Sequence, residues 1–193
     1  MFIAEKGIDI PVVEVDLANR EQHSEAFRQI NPYRTVPVLQ LADGTSLTSS
    51  AGIIQYLEHR WPDPPLLGKT AVQRGEVADL DWRIEQQGFA AVGEAFRNRA
   101  KSFAKNALTG ETEYAQIPQL AERGNLRTAE FFDWLDQLLQ NKAFVAGEDF
   151  TVADITAFVT VDFAKWIKQQ PGEQHGHLNF WYRAISERHS ASL

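Results

Sequence analysis

The first sixty residues of the sequence predict a small mixed α/β unit, and the rest predict helices alone. Three observations carry this. β-Branched stretches at 11–17 and 36–41 lie either side of a short helical pattern, and an Asp43-Gly44 turn comes after them. Three of the eight prolines fall within 62–68, a stiff segment of the kind that joins domains. Beyond it, apolar residues recur at helical spacing only. The expected organisation is an α/β unit at 1–61, a linker at 62–69 and an all-helical unit at 70–193.

Element by element, Met1 to Gly7 reads as the last turns of a helix ended by a glycine in left-handed geometry. Pro11 to Leu17 reads as a strand, bounded by Pro and Ala-Asn. Glu21 to Ile30 is a short helix stopped at Asn31-Pro32, because the residue before proline avoids helical geometry. Val36–Leu41 and Thr45–Thr48 form two strands of a hairpin around Asp43-Gly44. Ser49 and Ser50 cap a helix that carries Ile53, Ile54 and Leu57 and ends before Pro62. In the helical unit Trp82, Phe89, Phe96 and Phe103 recur every seven residues, as on one face of a long helix, which usually means core or dimer packing. Ile117, Leu120, Phe131, Leu135 and Leu138 mark a second helical stripe, and Leu178, Trp181 and Ile185 a short final one. Thr151-Val-Ala-Asp154, with Phe150 and Ile155 around it, fits a capping box and staple that start a helix running to about Lys168.

Composition narrows the function. The chain has 193 residues, 44% hydrophobic and 23% charged, which is ordinary for a soluble globular protein. Its net charge of −7 is spread over both halves and has the wrong sign for a nucleic-acid surface. The absence of cysteine removes disulfides, Cys-ligated zinc and a thiol nucleophile within these residues. There is no secretion signal and no apolar run long enough for a bilayer, so a cytoplasmic location and no membrane partner are expected. No His, Asp or Glu cluster has metal-ligand spacing.

The chemistry-bearing stretch is Asn31-Pro-Tyr-Arg-Thr-Val-Pro-Val-Leu39 with Leu47-Thr-Ser-Ser-Ala51 behind it. A proline opening a buried strand deletes a ladder donor. Either Pro37 is an ordinary trans residue at a strand edge, or Val36–Pro37 is cis and turns the Val36 N–H and C=O outward toward an extended peptide. Ser49 and Ser50 either cap the following helix or, with its free amides and dipole, hold a carboxylate. The two features together suit a small anionic peptide.

At this point the sequence resembles the cytosolic glutathione transferase family over essentially its whole length. The carriers are Ala4-Glu-Lys-Gly-Ile8, Asn31-Pro with Val36-Pro-Val-Leu39, Leu47-Thr-Ser-Ser-Ala with Tyr56-Leu57, Phe150-Thr-Val-Ala-Asp154, and Trp181-Tyr-Arg with Arg188. The resemblance implies a thioredoxin-like N-terminal domain followed by a helical bundle domain. It implies that Val36 pairs with the cysteinyl unit of glutathione beside a cis Pro37, and that Ser50 holds the γ-glutamyl carboxylate. Ser49 stands where the family usually has Glu, Asp or Gln, which weakens the hold on the γ-glutamyl ammonium. Gln22 and Thr35 stand at positions for the glycyl carboxylate without adding a charge, so weaker binding is expected unless Arg34 compensates. The family's first strand and its catalytic Tyr, Ser or Cys would fall before residue 1. The thioredoxin-like domain is therefore expected to lack its first strand, through a misassigned start or a truncation, leaving the strands at 11–17 and 36–48 as unpaired edges and no catalytic residue to assign. A thiol of pKa about 8.5 is only a few per cent ionised at pH 7, so an activating group matters.

The resemblance also places a hydrophobic co-substrate between the domains, where Phe96, Arg99 and Phe103 are candidates with Trp166 from a later helix. The implied activity is transfer of the glutathione thiol to a small hydrophobic electrophile, in detoxification, by a homodimer. The alternatives are a non-catalytic glutathione-binding or dimerisation module, or an isomerase or dehalogenase of the same family.

Overall fold

The computed structural model describes residues 1–110 and 112–192. Helix α1 (Phe2–Glu5) closes on Gly7 at φ 60°, with Gly7 N–H donating to Ala4 O and Ile8 N–H to Ile3 O. That is the left-handed glycine end expected of it. The strand expected at 11–17 does not form: Val12 and Val13 are 79% and 85% exposed. Apart from bonds at its end to Arg20 and Glu21, none of its N–H and C=O groups has a partner among the described residues, and β-branched composition without a ladder partner does not make a strand. The stretch ends in a turn in which the Asp16 carboxylate accepts hydrogen bonds from Asn19.

The helix expected over 21–30 divides into a 3₁₀ turn (Glu21–His23) and α2 (Glu25–Ile30). Ser24 is the reason: its Oγ accepts the Phe27 N–H at 3.1 Å, a capping bond that starts a new helix. The hairpin forms, but its strands shrink to β1 (Leu39–Gln40) and β2 (Ser46–Leu47), antiparallel with Leu39 opposite Leu47 and Gln40 opposite Ser46. Gly44 takes φ 89° in the turn and the Asp43 carboxylate accepts the Thr45 N–H. Helix α3 (Ser50–Arg60) comes next, capped by Ser49.

The helical part begins with α4 (Ala71–Ile84), a π-helical turn (Glu85–Phe89) and α5 (Ala90–Arg97). The seven-residue aromatic stripe is not one core face: Trp82 and Phe89 are exposed, while Phe96 packs partly buried against the core and Val77, Ile84, Val92 and Ala95 are buried. The π turn inserts a residue and rotates the face, so a period counted straight through it selects the wrong side. Gly88 lies inside that turn, where an added Cβ would come within 2.7 Å of the Phe131 ring. Helix α6 (Pro118–Leu138) crosses α5 at Gly124, and α7 (Val152–Ala164) and α8 (Gly176–Ser186) complete the bundle.

The capping box at Thr151 and Asp154 is present, and the buried Asp154 carboxylate also accepts from Val145 N–H and Trp181 Nε1 at 2.8 and 3.0 Å. One buried cluster, including Ile84, Phe131, Leu135, Val161, Leu178 and Trp181, fills the bundle. A second joins Phe2, Ile53 and Leu57 to Leu66, Val77, Val152 and Ile155, so the N-terminal part and the bundle share a core. No helix among the described residues is long and apolar enough to cross a membrane.

Candidate functional site

The site is assembled by the end of the hairpin and the head of α3. Because β1 and β2 run antiparallel, Val36 and Pro37 just before β1 and Ser49 and Ser50 just after β2 lie at the same end of the hairpin. The ladder stops there because Pro37 has no N–H to donate. The Val36–Pro37 peptide is cis. Val36 is exposed, and neither its N–H nor its C=O has a hydrogen-bonding partner among the described residues.

Across from it, Ser49 caps α3 through its Oγ, which accepts the Gly52 N–H at 3.1 Å, and its C=O accepts the Ile53 N–H. The amides of Ser50 and Ala51 have no partner among the described residues, as expected of the first turn of a helix. Two free N–H groups, the Ser50 hydroxyl and the positive end of an eleven-residue helix together favour a carboxylate. The exposed peptide of Val36 offers a donor and an acceptor to an extended backbone. These residues fit a small peptide that carries an acid at one end.

The loop before Val36 is held from within. Asn31 is fully buried; its N–H donates to Phe27 O, and its Oδ1 accepts the Tyr33 N–H at 2.9 Å. Its Nδ2 donates to Thr35 O at 2.7 Å and to Thr35 Oγ1 at 3.1 Å. The Thr35 hydroxyl thus accepts from Asn31 and keeps its own proton to donate. Arg34 is half-buried at φ 56°. Gln22 sits in the preceding 3₁₀ turn with Oε1 buried and unbonded among the described residues. Sequence reasoning used Asn31 as a helix stop and as part of the family pattern but gave its side chain no role, although an Asn at a helix end, able to bond backbone two residues on, is a recognisable turn signal.

The aromatic candidates meet around Phe96. Its ring centroid lies 5.3 Å from Phe103 and 5.5 Å from both Phe163 and Trp166, and Phe163 is 5.5 Å from Phe89. The Arg97 guanidinium stacks 4.4 Å over Phe103. Arg99 is exposed just past α5, and among the described residues no hydrogen bond or ring contact links its side chain to this group. A shallow depression of about 420 Å³, lined by Met1, Phe89, Phe163 and Trp166, opens beside the cluster.

A larger cleft of about 700 Å³ separates α3 from α4 and α7, with Ser50 and Ile54 on one wall and Asp81, Trp82 and Glu85 on another. The Asp81 carboxylate accepts the Thr156 hydroxyl at 2.6 Å, and burial pushes it above the usual carboxylate range. Glu85 is pushed up by burial and then by the neighbouring Asp81 charge. Sequence periodicity had no means of finding this cleft, since its walls come from helices far apart in the chain.

Residues 1–65 match the family model described as glutathione S-transferase, N-terminal domain, and residues 87–189 match the one described as glutathione S-transferase, C-terminal domain. Over 190 residues the chain is 29% identical to glutathione S-transferase 2 of Saccharomyces cerevisiae, covering 97% of this chain and 79% of that protein. The solved structure of a glutathione S-transferase domain-containing protein from Marinobacter aquaeolei VT8 superposes with a TM-score of 0.86 at 32% identity, over 98% of this chain and 91% of that one. A glutathione transferase homolog from sulfitobacter, solved with bound glutathione, shares the fold with a TM-score of 0.79 at 21% identity, over 99% of this chain and 87% of that one.

Proposed function

The chain belongs to the glutathione S-transferase family, and from that premise we propose that it binds glutathione between the hairpin and α3 and joins the glutathione thiol to a small hydrophobic electrophile. The reading rests on one observation above all: the unpaired Val36 peptide and the unpaired amides at the head of α3 lie at the same end of the antiparallel hairpin. In this reading Val36 binds the cysteinyl backbone next to Pro37, and Ser50 with the α3 N-terminus binds the γ-glutamyl carboxylate. Ser49 orients that helix end without supplying a charge to the γ-glutamyl ammonium. Arg34, Thr35 and Gln22 face the glycyl carboxylate, and Phe96, Phe103 and Trp166 form the aromatic wall for the electrophile. Glutathione is the co-substrate, the protein is a cytoplasmic homodimer acting in detoxification, and the boundary between its two domains falls within 62–69.

A second reading is a non-catalytic glutathione-binding or dimerisation module. It is favoured by the make-up of the site, in which every group brought together binds rather than activates: backbone amides, serine hydroxyls and a helix dipole. Retention on immobilised glutathione and turnover of an aryl halide separate the two. Retention with turnover is the expected result; retention or dimerisation without turnover selects the module, and failure both to be retained and to dimerise removes both readings. Ser50→Ala is expected to weaken glutathione binding roughly tenfold by deleting one charge-assisted hydrogen bond.

A further inference from the structure

We propose that Asn31 is a positioning residue for glutathione binding: its buried side-chain amide sets the direction in which the Val36 N–H points. The inference rests on the glutathione reading above and adds a residue that never touches the ligand.

The argument is one of peptide geometry. Among the described residues the cis bonds are Val36–Pro37 and Asp63–Pro64, so the Thr35–Val36 unit is trans. In a planar trans unit the C=O and the N–H point to opposite sides. The carbonyl of this unit belongs to Thr35 and accepts from Asn31 Nδ2 at 2.7 Å, on a side chain with no exposed surface. With the carbonyl drawn inward, the N–H of the same unit, which is that of Val36, is directed outward. Nothing in the described residues competes for it.

Asn31 can hold this orientation because it is itself fixed at three further points. Its N–H is the last donor of α2, bonded to Phe27 O at 2.8 Å. Its C=O accepts the Arg34 N–H at 3.0 Å, and its Oδ1 accepts the Tyr33 N–H at 2.9 Å. A carboxylate or a hydrocarbon at this position could accept from Tyr33 or fill the space, but neither could donate to Thr35 O. Without that bond the Thr35–Val36 plane is free to rotate, and the Val36 N–H must be reoriented each time a peptide binds.

The test is titration calorimetry with glutathione, which reads affinity and the fraction of competent protein separately. Asn31→Asp keeps the shape and the Oδ1 acceptor but removes the donor. It is expected to raise the Kd about tenfold, the effect of one hydrogen bond, at unchanged stoichiometry. Thr128→Val, which removes a buried hydrogen bond to Gly124 O within α6 and away from the site, is the control and is expected to leave the Kd unchanged. An Asn31→Asp protein with the wild-type Kd overturns the inference. So does one that loses stoichiometry at constant Kd, since that makes Asn31 structural only. If Asn31→Asp does not fold, Asn31→Ala, which also has no side-chain donor, carries the same expectation and the same two overturning results. A wild-type protein that gives no binding heat removes the glutathione reading itself, an outcome distinct from either.

Discussion

Asp81 and Asp154 are both carboxylates pushed upward by burial, yet they do different work. Asp154 accepts hydrogen bonds from Val145 N–H, Thr151 N–H, Thr151 Oγ1 and Trp181 Nε1, which join the start of α7 to α8 and the loop before it. Those bonds oppose the burial without overcoming it, and they make Asp154 a junction of the fold. Among the described residues Asp81 has the Thr156 hydroxyl alone. An acid whose folded-state pKa lies above its unfolded one weakens the fold as pH rises through the folded value, so ionised Asp81 costs stability at neutral pH. Asp81→Asn, which still accepts from Thr156, is expected to raise the melting temperature at pH 7. The gain should fade as the pH falls into the ordinary carboxylate range, where Asp81 is already protonated in both states. Melting curves of both proteins between pH 7 and pH 4 check this; a gain that is constant with pH would remove burial of the charge as its cause.

At the scale of elements, close approach and pairing decide what propensity leaves open. An alanine Cβ at Gly124 would lie 2.6 Å from Ala91 O and from Ala95 N, both backbone atoms of α5. No side-chain adjustment relieves such a contact, so α5 and α6 would have to move apart. Gly124→Ala is therefore expected to destabilise by about 1–3 kcal/mol, despite the better helix propensity of alanine, as read by urea unfolding. The stretch at 11–17 shows the converse. Its composition is that of a strand, but with no described neighbour to complete a ladder it stays without regular structure and largely exposed, whereas the short β1 and β2 persist because a turn delivers each to the other.

At the scale of the molecule, two ion pairs tie the N-terminal helix to distant parts of the chain. Lys6, with a side chain wholly buried, pairs with Glu58 and donates to Trp61 O and Pro64 O at 2.8 and 2.6 Å, clamping the end of α3 to the proline-rich segment. Glu5 accepts from Arg188 Nε and Nη2 at 2.8 and 2.5 Å and from Ser190, while the guanidinium lies 4.0 Å from the Phe150 ring centroid. The hydrogen bond from Arg188 holds the Glu5 carboxyl below its usual value against the opposing effect of burial. An acid lowered in this way stabilises the fold above its unfolded pKa, and the contribution is lost as pH falls through the folded value, the reverse of Asp81. Arg188→Ala is expected to cost about 1–3 kcal/mol at pH 7 and much less once Glu5 is protonated. Denaturant unfolding at neutral and acid pH measures both; an equal loss at the two would assign the effect to packing on Phe150 alone.

The order of the elements, the capping box at Thr151–Asp154, the serine cap of α3, the Asp43-Gly44 hairpin, and the motifs that mark the family are all legible in the amino-acid order. These are local signals: each acts through backbone within a few residues, or through a side chain that bonds three or four positions away. Three-dimensional packing settled the rest: that 11–17 would not pair, that Trp82 and Phe89 would face outward once a π turn rotated the helix, and that Phe163 would join Phe96 and Trp166. It also revealed Asn31 beneath the Val36 peptide and Asp81 in a cleft. Pairing, burial and the pKa of a carboxyl depend on what lies opposite in space, and that partner comes from a distant part of the chain whose position no local pattern encodes.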